Sequence, residues 1–99
     1  MDIKQRIQSE IEFLRSRLEL IPESIRIEEA KQVLSSLESM IKTETQDKKG
    51  LKINIMRLRS LLEQTTSSDQ QLNEAKESRF ELQRMLDTAY GLDIQKYQD

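Results

Sequence analysis

Cysteine and histidine are both absent from the 99 residues, and the two absences remove much of the chemistry open to a small protein. Without Cys there is no disulfide, no thiolate metal ligand and no thiol nucleophile; without His the commonest general base and metal ligand is gone. A cysteine-free chain suits a reducing setting, so an intracellular location, cytoplasmic or nuclear, is expected. Two Gly are too few for a phosphate-cradling loop or a nucleophile elbow. With a single Pro, the backbone also has few places to reverse tightly. Apolar runs are never longer than three residues, which excludes a membrane span and the apolar region of a signal peptide. The 16 basic and 18 acidic residues are interspersed and sum to −2, so the basic stripe that nucleic-acid binding requires is missing.

What is abundant is helix-forming material. Apolar residues make up 35% and charged residues 34%, against about 45–50% and about 25% in ordinary globular domains. Leu, Ile, Glu, Gln, Lys, Arg and Ser dominate, and no stretch alternates apolar with polar residues as a strand would. The fold class expected is all-α, in one segment spanning residues 1–99, because two separate cores would each be too small to be stable. Carboxylates are plentiful, yet Glu28 and Glu29 are sequence neighbours and leave a helix in different directions, so they form no acid/base pair. No alternating Asp/Asn run with a central Gly builds a calcium loop. No enzymatic activity, cofactor, metal or small-molecule ligand is expected.

The strong signal is an apolar seam. Ile7, Ile11, Leu14, Leu18 and Ile21 follow a 4-3-4-3 spacing that places one stripe on one side of a helix over 2–21, with Ile3 and Phe13 beside it. Pro22 ends that helix by removing a donor and restricting Ile21, and Ser24 can cap the next one. The hydrophobic phase changes at the same point. Ile27, Ala30, Leu34, Leu37 and Ile41, then Leu51, Ile55, Leu58 and Leu62, fit a single heptad frame. Ile41 and Leu51 are ten residues apart, and ten is 3+4+3. Since only Gly50 interrupts, at a cost of about 1 kcal/mol, one continuous helix over 24–64 is favoured over a loop at 43–50. A Thr/Ser/Asp cluster at 65–69 then favours side-chain to backbone bonding, and Ser68 with Gln71 forms a capping box. A third helix over 69–91 carries Leu72, Ala75, Leu82, Leu86 and Ala89 in a shifted phase, with Arg79 in one core slot and Gly91 able to terminate it.

These seams predict an elongated coiled coil in which the a and d residues face another polypeptide. The function expected is oligomerisation or scaffolding within a larger cytoskeletal or scaffold assembly. The partner is a second copy of the chain, with a dimer ranked first, or a helical heteromeric partner. The alternative is a three- or four-helix bundle working as a monomeric adaptor, with turns at Pro22, near Gly50 and at 65–69. Val33, Met40 and Leu61 at g positions widen the stripe and favour that alternative. Charge pairs between g and e positions do not settle helix orientation, because exposed pairs contribute only about 0–1 kcal/mol each. Glu44 and Lys48 occupy d and a slots and read as a splayed, wet stretch before a register-setting layer. Arg79 is expected to snorkel its stem over the interface. Phe80, Tyr90 and Tyr97 are candidates for a docking surface, and Ser60, after Arg57 and Arg59, for phosphorylation.

The run Leu82-Gln83-Arg84-Met85-Leu86-Asp87, with Leu92-Asp93-Ile94 beyond it, resembles the end of an intermediate-filament rod. The resemblance covers less than a fifth of the chain. It implies a fragment of a filament-like rod as a runner-up function. Gly91 and Lys96 depart from that pattern, which favours helix-forming and apolar residues there.

Overall fold

Asp2 and Gln5 open the first helix. The Asp2 carboxylate accepts the Gln5 backbone N–H at 2.9 Å, while the Gln5 side-chain oxygen accepts the Asp2 N–H at 3.3 Å. Two donors that a helix start leaves unpaired are thereby satisfied reciprocally. In the computed structural model, which describes residues 2–22, 24–65 and 70–92, this helix is α1 (Ile3–Glu19). It is followed by α2 (Ile25–Lys42), α3 (Lys48–Gln64) and α4 (Gln70–Tyr90). The fold is all-α, with no strand among the described residues.

The break at Pro22 falls where the sequence places it, and Ser24 is the N-cap of α2, its hydroxyl accepting the Ile27 N–H at 3.2 Å. At the far end Gly91 follows α4 with φ +61°, and its N–H donates to Asp87 at 2.8 Å. That left-handed conformation is the helix-terminating one glycine adopts without strain. The capping box assigned to Ser68 and Gln71 has its Ser68 outside the described residues.

Between α2 and α3 the outcome differs from expectation. The continuous helix over 24–64 is split by a turn at 43–47. Glu44 enters the left-handed region at φ 53°. Its N–H reaches the Ile41 carbonyl at 3.2 Å, and the Thr45 N–H reaches Met40 at 3.1 Å. This pair of bonds is a Schellman ending, normally built on Gly. Asp47 then caps α3, accepting the Gly50 N–H at 2.8 Å. The physical reason lies in the two polar heptad slots. A straight helix carries Glu44 and Lys48 into the seam with nothing apolar to bury, whereas reversal at that point folds the α3 stripe onto the α2 stripe.

The four helices form a ring in which each packs on its chain neighbours and α4 closes on α1. Cross-helix contacts show that neighbours run antiparallel, because residue numbers fall on one helix as they rise on the next. Lys4 meets Glu44 and Arg15 meets Glu38; Arg26 meets Gln64 and Met40 meets Asn54; Glu10 meets Ser78 and Arg17 meets Glu74. The α1/α4 and α2/α3 pairs pack most extensively. The radius of gyration is 12.6 Å and the longest extent 35 Å. A globular chain of this length has a radius near 13 Å, so this compact arrangement of helices fits the bundle alternative.

The core is the predicted seam turned inward. Ile7, Ile11, Leu14 and Leu18 of α1, Ile27, Ala30, Leu34, Leu37 and Ile41 of α2, Leu51, Ile55, Leu58 and Leu62 of α3, and Leu72, Ala75, Leu82 and Leu86 of α4 are all buried in one cluster with Ile21. Val33 and Leu61 join it from g positions, as a stripe serving two neighbours requires. Ala89 is the exception: it is exposed, on a groove that it lines with Lys4, Glu44 and Lys48. Leu92, not assigned to the seam, folds back after Gly91 and is buried.

Candidate interaction surface

The residues assigned to an interface are, Ala89 apart, consumed by the chain's own core. Anything that recognises this protein as folded must therefore use the outer face. Among the described residues, that face carries five exposed large apolar side chains: Phe13, Leu20, Ile25, Ile53 and Phe80. Ile25 is 79% and Ile53 57% exposed, whereas Phe13 and Phe80 are more than half covered, at 42% and 43% exposed.

The two phenylalanines occupy grooves on either side of α4. Phe13 lies with Arg6, Ser9 and Glu10 of α1 against Met85 of α4. Phe80 lies with Lys76, Glu77 and Arg79 of α4 near Glu63 of α3. The grooves measure about 460 and 490 Å³. Each mixes an aromatic ring with both signs of charge, the composition of a protein contact more than of a closed ligand pocket. Arg17 is held over the Phe13 ring at 4.6 Å while its Nε lies 3.3 Å from Glu74 on α4. The cation–π contact and the ion pair thus fix one side chain between two helices.

Arg79, expected to snorkel, is buried instead. Its Nη1 donates to Gln83 Oε1 at 2.7 Å, and Ser78 alongside donates to Glu10 Oε2 at 2.5 Å. Ser78, Arg79 and Gln83 form a polar patch on the core side of α4, which explains why the apolar phase of that helix is the hardest to read. Of the other docking candidates, Tyr90 packs partly against the core and Tyr97 lies outside the described residues. Ser60 is exposed on α3 and accepts a hydrogen bond from Gln64 at 3.0 Å.

Electrostatics fasten the less extensive α1/α2 seam. The Arg15 guanidinium grips both oxygens of Glu38, at 3.0 and 3.3 Å, and also reaches Glu12 at 2.7 Å. That hydrogen bond, reinforced by Lys42, holds the Glu38 carboxyl below its ordinary pKa and raises that of Arg15. At the opposite end of α1, Lys4 pairs with Glu44 at 3.0 Å, which raises the lysine pKa. Among the described residues no group of three His, Asp, Glu or Cys side chains could hold a metal ion. No described helix is long and apolar enough to cross a membrane.

Sequence reading missed both Asp caps, although Asp2-x-x-Gln5 and Asp47-x-x-Gly50 are legible as helix starts. It also ranked the loop at 43–50 below a continuous helix, since the residue type of Glu44 gives no signal for a left-handed conformation. No protein-family model matches the chain, and neither a curated protein nor a solved structure is similar enough to register as a match.

Proposed function

We propose that this chain is a non-catalytic protein–protein interaction module, a helical-bundle adaptor that recognises its partner through the outer face flanking α4. The observation carrying this reading is the sealing of the heptad seams within one chain, which leaves Phe13 and Phe80, with their charged surroundings, as the contact surface on offer. Aromatic anchors with adjacent arginine are what protein interfaces concentrate. A sequence without Cys or His is consistent with a binding role in a reducing compartment.

Solution mass and shape test it. Sedimentation equilibrium at micromolar concentration should return 11.7 kDa, and small-angle scattering should fit a compact particle. An elongated particle at a multiple of that mass would overturn the adaptor reading in favour of a coiled-coil scaffold. That second reading, with its cytoskeletal or filament-like setting, draws its support from one observation: α2 and α3 share a single heptad frame despite the turn between them.

A further inference from the structure

The turn at 43–47 combines three properties that a passive loop does not need. Glu44 adopts φ 53°, a conformation that disfavours any residue with a Cβ. The heptad frame runs through the turn without loss of register, from Ile41 by way of Glu44 and Lys48 to Leu51. No Pro or Gly lies within 43–47, so nothing in its covalent structure opposes helix. If 43–47 became helical, α2 and α3 would join into one helix of about 60 Å over 25–64, with the core residues from Ile27 to Leu62 still on one stripe. Glu44 and Lys48 would then stand four apart with the acidic residue first, the favourable order on a helix.

We infer that this turn is a hinge through which two copies of the chain exchange their α3–α4 halves. In the exchanged dimer α3 of one copy packs on α2 of the other, so each lobe rebuilds the core, including the Leu34 and Leu58 layers, from the same residue types. The intramolecular and exchanged forms share their seams and differ at the hinge. Opening relieves the left-handed Glu44 and adds helix, while it loses the Schellman bonds and the Asp47 cap. Short strained hinges between otherwise self-complementary halves are the setting in which domain exchange is least costly. The partner is thus a second copy of this chain, and Glu44 with Lys48 marks where the two lobes meet.

Two variants push the hinge in opposite directions. Glu44→Gly removes the strain of the turn and penalises helix there. It should weaken the dimer by about tenfold per hinge and about a hundredfold per dimer. Asp47→Ala removes the α3 cap, which only the closed form uses, and should tighten the dimer by a similar factor. Mass measured by light scattering from 10 µM to 1 mM should order the proteins Asp47→Ala, wild type, Glu44→Gly in dimer content. Spin labels on Glu28 and Ser60, introduced as cysteines, identify the exchange. These sites lie on adjacent antiparallel helices in the closed form, but about 48 Å apart along one open helix. With each labelled chain paired to an unlabelled one, the dimer should show the long distance. A short distance in that diluted dimer, equal dimer content in the two variants, or purely monomeric Asp47→Ala at 1 mM would each overturn the inference. None of these results would touch the adaptor reading, which depends on the monomer's outer face.

Discussion

Leu58 sits on α3 with no exposed surface, surrounded by the cluster that all four helices build. Truncation to Ala removes the transfer free energy of the lost atoms and leaves a cavity, together about 2–5 kcal/mol. A domain of this size is stable by about 5–15 kcal/mol in total, so Leu58→Ala should remain folded but visibly weakened. With about 3 kcal/mol lost, and about 4–8 °C per kcal/mol for a chain of this length, the melting temperature should fall by about 12–24 °C. Ile53, on the opposite face of the same helix and mostly exposed, is the control; Ile53→Ala should stay within about 0.5 kcal/mol of wild type. Urea unfolding followed by helical circular dichroism, at 2 and 50 µM, separates the possibilities. If the seam is closed by the chain itself, the midpoint is the same at both concentrations and the slope is unchanged. If a second chain closes it, the midpoint climbs with concentration and added protein rescues Leu58→Ala. Either of those outcomes would refute closure of the seam within one chain, and equal losses from Leu58→Ala and Ile53→Ala would refute the assignment of α3's inward face.

Gly50→Ala should fail to stabilise although it places Ala in a helix, because a Cβ there would collide with the Asp47 carboxylate and come within 3.0 Å of the Met40 methyl. The cap bond then gives back the gain of about 1 kcal/mol; in an Asp47→Ala background the same change should stabilise, which a double-mutant cycle by thermal melting checks. Glu38 has a folded-state pKa below its unfolded value, so the stability it contributes is present above the unfolded pKa of about 4.3 and is lost as pH falls through the folded one. Glu38→Gln should accordingly flatten the acid limb of stability against pH below about pH 4 while changing the neutral plateau by about 1 kcal/mol or less; an unchanged acid limb would dismiss the Arg15 pair as a stabiliser. Arg79→Ala should cost about 2–3 kcal/mol by orphaning the Gln83 oxygen and opening a void, whereas Arg79→Met, which fills the void but still orphans that oxygen, should cost less, about 1–2 kcal/mol in chemical denaturation.

Helix periodicity was the most legible property of the chain. The residues that seal the core could be named because Leu and Ile recur at 3- and 4-residue spacing, and one stripe per helix is all a bundle needs. Pro22 and Gly91 were legible as boundaries because each changes the backbone's allowed conformations directly. The α2/α3 turn was not, since its left-handed residue is a Glu, and the signal that normally marks such a position is Gly or Asn. Ala89 was misplaced for a different reason: periodicity marks a face but not what covers it, and Ala89 faces an open groove beside Lys4, Glu44 and Lys48. The outer surface was legible only in part. Phe80 stood out as an aromatic, but Phe13 gains its setting from Arg17 and Glu74, contacts that depend on α4 lying beside α1.

Spacing identifies which residues must be hidden, but it does not say whose residues hide them. A Leu at a d position gains the same burial from α2 of its own chain as from α2 of another, so the apolar seams alone carry no preference between a bundle and an assembly. The preference resides in the residues that join the helices. Around Pro22 and Gly91 the backbone itself enforces termination, and those ends read the same in either arrangement. At 43–47 nothing in the covalent structure enforces it; the reversal rests on capping bonds from Glu44, Thr45 and Gly50, on turn bonds from Asp47 to Thr45 and from Lys48 to Gln46, and on the Lys4–Glu44 pair, each hydrogen bond contributing about 0.5–1.5 kcal/mol, set against the strain at Glu44. If the two copies exchange halves as inferred, a margin of a few kcal/mol at one short turn decides whether seams containing most of the chain's large aliphatic residues are satisfied in cis or in trans.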